Sequence, residues 1–141
     1  SDGVCKIADF GSAINVGFGG VVSVPESQNS SACDDHQQQL LARGTVVYMA
    51  PEACRGVEGG KPSDIWSLGI TIIELLTGKL PWSRVGNQNK FIVTLGNDDS
   101  MKPIIPDSLD ASVRAVVESC LQRDPEKRPT AAELLASPFF M

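Results

Sequence analysis

Hydrophobic and polar positions divide the chain into stretches of different character. Val4 and Ile7 give residues 4–8 the β propensity of a short strand. Residues 12–43 lose any period, and Gly17 to Gln39 is rich in Gly, Ser, Asn and Gln. A loop this long is uncommon inside a compact domain and is usually functional or disordered, so it reads as a mobile insertion. A plain linker between two domains is disfavoured, because too few residues precede it to form a domain. Order returns at Arg43. Pro51 suits a first helical turn and predicts a short helix over 51–55, followed by a loop at Gly56, Gly59 and Gly60. Residues 63–77 predict the strongest helix, with Ser63 or Asp64 as its cap and Gly78 as its stop. Ile65, Trp66, Leu68, Ile70, Ile72, Ile73, Leu75 and Leu76 cover every face of it. A helix apolar all round is buried, and this one is too short for a bilayer, so it predicts a central helix with other elements packed around it. Its only charges are Asp64 and Glu74, and Asp64 lies in the first turn, where the helix dipole favours an anion.

Beyond it, Pro81-Trp82-Ser83 marks a turn. Residues 87–96 predict a helix with Phe91, Ile92 and Leu95 on one face. Pro103 and Pro106 enforce an irregular segment. Over 111–121, Val113, Val116, Val117, Cys120 and Leu121 follow amphipathic helical spacing. Thr130-Ala131-Ala132-Glu133 is a capping box that opens a final helix.

Composition narrows the function classes. The 141 residues are ordinary for one domain and long enough to bury a core. An apolar content of 42% with 21% charged residues is that of a globular chain rather than a disordered one. The net charge is −5 and no Lys/Arg cluster forms, which gives nucleic acid no footprint. No apolar run reaches a membrane span, and Ser1-Asp2-Gly3 opens no signal peptide. The missing initiator Met suggests a chain cut from something longer. Cys5, Cys33, Cys54 and Cys120 lack metal-like spacing and read as reduced thiols of an intracellular, cytoplasmic protein, with Cys5 and Cys120 packed as small hydrophobes. His36, in a polar stretch without a partner, is given no ligand or base role.

Five motifs carry the chemistry: Lys6-Ile7-Ala8-Asp9-Phe10-Gly11; Gly44-Thr45 through Met49-Ala50-Pro51-Glu52; Ser63-Asp64-Ile65-Trp66-Ser67-Leu68-Gly69; Leu80-Pro81-Trp82; and Asp124-Pro125 through Arg128-Pro129-Thr130. Any one alone is weak; all five in this order are specific. Together they resemble the C-terminal half of a eukaryotic serine/threonine protein kinase catalytic domain, from the activation segment to the end of the large lobe. Arg128-Pro129-Thr130 and Ser137-Pro138-Phe139-Phe140 are similar to the mitogen-activated kinase kinase kinase group. The resemblance implies a mainly α fold, a partial kinase C-terminal lobe with one short β segment near the N-terminus. It divides into strand and metal motif (1–11), activation segment with polar insertion (12–52) and helical subdomain (53–141).

By that resemblance Asp9 is the carboxylate holding the magnesium that bridges the ATP phosphates, the alternative being a solvated Asp in a turn after a strand. Phe10 packs inward and sets the active or inactive pose, and Gly11 lets the backbone turn. Thr45 lines the substrate pocket, though the catalytic Asp and Lys it would contact are absent; alternatively it satisfies its own turn. Glu52 pairs with Arg128 and staples the activation segment to the distal helices, the alternative being two solvated charges. Asp64 braces a catalytic loop, which is missing here. Trp66 and Trp82 pack in the core. Ser23, Ser27, Ser30, Ser31 and Thr45 are candidate phosphosites, with an unmodified polar loop as the alternative at each.

Neither a Gly-rich phosphate loop, a strand Lys nor a His-Arg-Asp loop is found, so the chain by itself is expected to be inactive. Missing packing partners are expected to leave an apolar face of the central helix exposed. The function expected is that of a serine/threonine kinase fragment: ATP and Mg²⁺ as cofactors in the full-length parent, a protein substrate and an upstream kinase as partners, and no nucleic acid or membrane segment. The competing reading is a non-catalytic, pseudokinase-like or truncated interaction module. A small helical domain unrelated to kinases leaves the motif order unexplained.

Overall fold

The computed structural model describes residues 6–8, 10, 13, 46–57, 60–83 and 86–140. The chain divides into two units, Ser1–Ser30 and Ser31–Met141. In the first, the Ala13 amide donates to the Phe10 carbonyl at 3.0 Å. Of the strand expected over 4–8, residues 4 and 5 lie outside the described residues, and Lys6, Ile7 and Ala8 form no strand. A strand exists through ladder bonds to a partner. No such bond to these three is found among the described residues, and Ile7 is 85% exposed.

The second unit is helical. A 3-10 turn at Val46–Tyr48 leads into α1 (Pro51–Cys54), α2 (Lys61–Thr77), α3 (Gln88–Asn97) and α4 (Ala111–Cys120). A second 3-10 turn, Pro125–Lys127, precedes α5 (Ala131–Leu135). The segment holding Pro103 and Pro106 is irregular. α2 starts two residues earlier than its apolar period suggests, and neither Ser63 nor Asp64 caps it. Gly60 occupies the cap position with no side-chain bond, and Pro62 stands in the first turn. Proline's fixed φ is preorganised for that place, which frees Ser63 for another partner. Gly78, at φ 69°, ends the helix in the left-handed region, its amide donating to the Glu74 carbonyl.

α2 serves two hydrophobic clusters. Trp66 and Ile70 join Val46, Val47, Ala50 and Cys54 with Phe91, Ile92 and Leu95 of α3. Ile65 joins Val116 and Cys120 of α4 and Leu134 of α5. The helix is therefore central, but it is not buried on all sides. Leu68, Leu75 and Leu76 are 38%, 79% and 56% exposed. Their i, i+7, i+8 spacing puts them on one face, adjoining Ile65 and Ile72 of the second cluster.

Side chains satisfy both ends of α3 and the start of α5. Asn87 caps α3, accepting from the Lys90 amide at 3.0 Å. At its C-terminus, where the dipole favours cations, Arg123 donates to the Leu95 carbonyl at 2.7 Å and Arg55 to the Gly96 carbonyl at 2.9 Å. The capping box of α5 is complete: Thr130 Oγ1 accepts from the Glu133 amide, and the Glu133 carboxylate accepts from the Thr130 amide.

Candidate functional site

Asp9, Gly11, Thr45, Ser23, Ser27, Ser30, Ser31, Cys5, Cys33 and His36 lie outside the described residues. Phe10, in the first unit, is 67% exposed.

The geometry that is described centres on the turn directly after Thr45. Backbone carbonyls in a buried turn need partners, and all three of this turn have one. Val46 O accepts from the Met49 amide at 3.2 Å. Val47 O accepts from the indole Nε1 of Trp82 at 2.8 Å. Tyr48 O accepts from Ser67 Oγ of α2 at 2.9 Å. The Tyr48 hydroxyl donates to the Glu74 carboxylate, also on α2. That bond, with burial and the Glu74 charge behind it, raises the Tyr48 pKa above its ordinary value. Val46 and Val47 are themselves buried, so the turn is fixed on its inner side.

Next to it the structure brings Glu52 and Arg128 together across 76 positions of sequence. Arg128 Nη1 donates to Glu52 Oε1 at 2.6 Å and Nη2 to Oε2 at 2.8 Å, a bidentate fork. Ser63 Oγ donates to Oε1 at 2.7 Å. The remaining guanidinium donors go to the carbonyls of Pro62, Gln122 and Arg123. The guanidinium carbon sits 5.1 Å from the centre of the Trp66 ring, a cation–π distance. Both side chains of the pair are buried. Burial pushes the Glu52 carboxyl upward; the bonds from Arg128 and Ser63 outweigh it, and the net pKa lies below the ordinary value. One ion pair thus ties the start of α1 to the segment between α4 and α5.

Asp64 is not part of this network. It is exposed, and partial desolvation raises its carboxyl pKa. It lines a cavity of about 220 Å³ with Lys61, Pro62, Ile65, Arg128 and Thr130. Trp66 is buried, with no partner for its Nε1 among the described residues, and Trp82 is half-buried. Cys120 and Cys54 are buried; burial, aided by the Glu52 charge, pushes the Cys54 thiol up to about 12, which makes it a packed hydrophobe rather than a nucleophile. Ser63, Ser67, Glu74 and Trp82 were not singled out by sequence as site residues. The one signal available was Trp82 itself, because a buried indole N–H usually finds an acceptor.

The chain matches the family described as protein kinase domain over residues 1–140. It is 35% identical over 139 residues to mitogen-activated protein kinase kinase kinase 2 of Arabidopsis thaliana, covering 99% of this chain and 19% of that protein. It is 36% identical over 142 residues to MAP kinase kinase kinase wis4 of Schizosaccharomyces pombe, covering 97% and 10%. Against mitogen-activated protein kinase kinase kinase 1 of Homo sapiens it is 35% identical over 136 residues, covering 96% and 8%. The chain thus spans a fifth or less of the length of these relatives.

Proposed function

The chain belongs to the protein kinase domain family, and from that premise we propose that the whole protein transfers the γ-phosphate of ATP to serine or threonine hydroxyls of a protein substrate in a signalling cascade. The observation that carries this reading is the similarity to proteins named MAP kinase kinase kinases along 96–99% of the chain. Their name points to a MAP kinase kinase as the substrate class. The Glu52–Arg128 staple supports the reading, since it holds in place the segment on which a protein substrate would dock.

The described residues do not by themselves make a magnesium site: no group of three or more His, Cys, Asp or Glu side chains among them can hold a metal ion. Asp9 is the proposed ligand. When bound, magnesium neutralises charge on the transferring phosphoryl group. Thr45 is proposed to line the substrate pocket. Ser23, Ser27, Ser30, Ser31 and Thr45 are proposed sites at which an added phosphate, with its two negative charges, would order the segment against arginines. An intracellular, cytoplasmic location is proposed with an upstream kinase as partner; among the described residues no helix is long and apolar enough to cross a membrane. The test is phosphate transfer from labelled ATP to a purified MAP kinase kinase by the full-length protein. Transfer that disappears in Asp9→Asn is expected. A wild-type protein that transfers nothing, with Mg²⁺ and ATP saturating, would mean a non-catalytic interaction module.

A further inference from the structure

We infer that Trp82 is a positioning residue for substrate docking, through the hydrogen bond its indole N–H makes to the turn after Thr45. The inference rests on the kinase reading above. Val47 O accepts from Trp82 Nε1 at 2.8 Å. The peptide unit is planar and trans, so fixing the Val47 carbonyl also fixes the Tyr48 N–H, which points the opposite way. The Tyr48 carbonyl is held separately, by Ser67 of α2. Trp82 therefore holds one peptide plane of this turn and Ser67 the next.

The indole is itself held firmly. The backbone before it is tied by the Ile104 amide, which donates to the Pro81 carbonyl at 2.8 Å. Its ring meets Phe91 edge to face, with centroids 5.1 Å apart and planes at 85°. Phe91 is 4% exposed and belongs to the main cluster through α3. A phenyl ring at position 82 would supply the same kind of aromatic packing. What Trp adds is the N–H, and the one acceptor it uses is a carbonyl of the turn.

The test is Trp82→Phe in the full-length protein, with a MAP kinase kinase as substrate. Losing one net hydrogen bond of this kind is expected to raise the substrate KM by about 2- to 10-fold. The KM for ATP and kcat are expected to stay near wild type, and Tm to fall by no more than the few degrees that one hydrogen bond accounts for. Amide hydrogen exchange at Tyr48 is expected to quicken. Should Trp82→Phe fold poorly, benzothienylalanine at position 82, which replaces only the N–H by sulfur, is expected to give the same signature. An active protein with unchanged substrate KM and unchanged exchange overturns the inference alone, as does a parallel fall of Tm and both KM effects. A wild-type protein that transfers no phosphate overturns the functional reading, and the inference with it.

Discussion

Glu52 shows how a single carboxylate can be buried and still ionised. Desolvation alone would push its pKa up from the ordinary 4.5; hydrogen bonds from Arg128 and Ser63, a backbone hydrogen bond and the Arg128 charge together reverse the sign. Glu52→Gln keeps the shape and removes the charge, leaving Arg128 buried without its counter-ion. A loss of about 3–5 kcal/mol at pH 7 is expected, by urea unfolding of the kinase domain that carries this chain. The pH dependence follows from the direction of the shift. A carboxylate whose folded pKa lies below its unfolded value contributes stability that is present above the unfolded value, near 4.5. That contribution is lost as pH falls through the depressed folded pKa. The gap between wild type and Glu52→Gln should therefore narrow below pH 4.5. An equal gap at neutral and acid pH would show that the pair contributes nothing through its charge.

Elements were readable where one physical rule dominated. The apolar period located α2, α3 and α4, and the capping box located α5, because those signals sit within a few residues of each other. The start of α2 was misread because Ser63-Asp64 is a good cap pair by composition, while Gly60-Lys61-Pro62 begins the helix with no side-chain cap. Hydrogen bonds that cross long stretches of sequence were not readable, since Trp82, Ser67 and Arg123 meet backbone acceptors that no local pattern specifies. Gly69 is of the same kind. In sequence it is a weak spot in a helix. In the structure, a Cβ there would meet Cys120 Cβ and Leu121 Cδ2 at 2.9 Å, so the glycine is what lets α2 and α4 approach. Alanine normally gains about 1 kcal/mol over glycine inside a helix. Overpacking against a fixed Cβ costs about 1–3 kcal/mol. Gly69→Ala is therefore expected to be net destabilising, with a lowered urea midpoint at unchanged slope; a raised midpoint would mean that the two helices can part freely.

At the scale of the whole molecule, the family was legible in the order of five motifs, whereas the chemistry of the site was legible only by resemblance, since Asp9 and Thr45 lie outside the described residues. The pairing of Glu52 with Arg128 is the part of the candidate site that sequence and geometry share. The exposed face of α2 is the other large-scale feature. Leu68, Leu75 and Leu76 expose apolar surface along one stripe of a helix that also supplies Trp66, Ile70 and Ile65 to the two clusters. Burying such a leucine is worth about 1.5–3 kcal/mol, so a stripe of three is a strong drive toward association. A net charge of −5 offers only modest opposition once salt screens it. The 141-residue chain expressed alone is therefore expected to self-associate with rising concentration in analytical ultracentrifugation and to bind a hydrophobic dye. Leu75→Lys combined with Leu76→Glu should suppress both, because these two side chains are the more exposed of the three and lie outside both clusters. If the double variant associates as strongly as the parent chain, the adhesive surface lies elsewhere; if the parent chain stays monomeric and binds no dye, this face is not adhesive in solution.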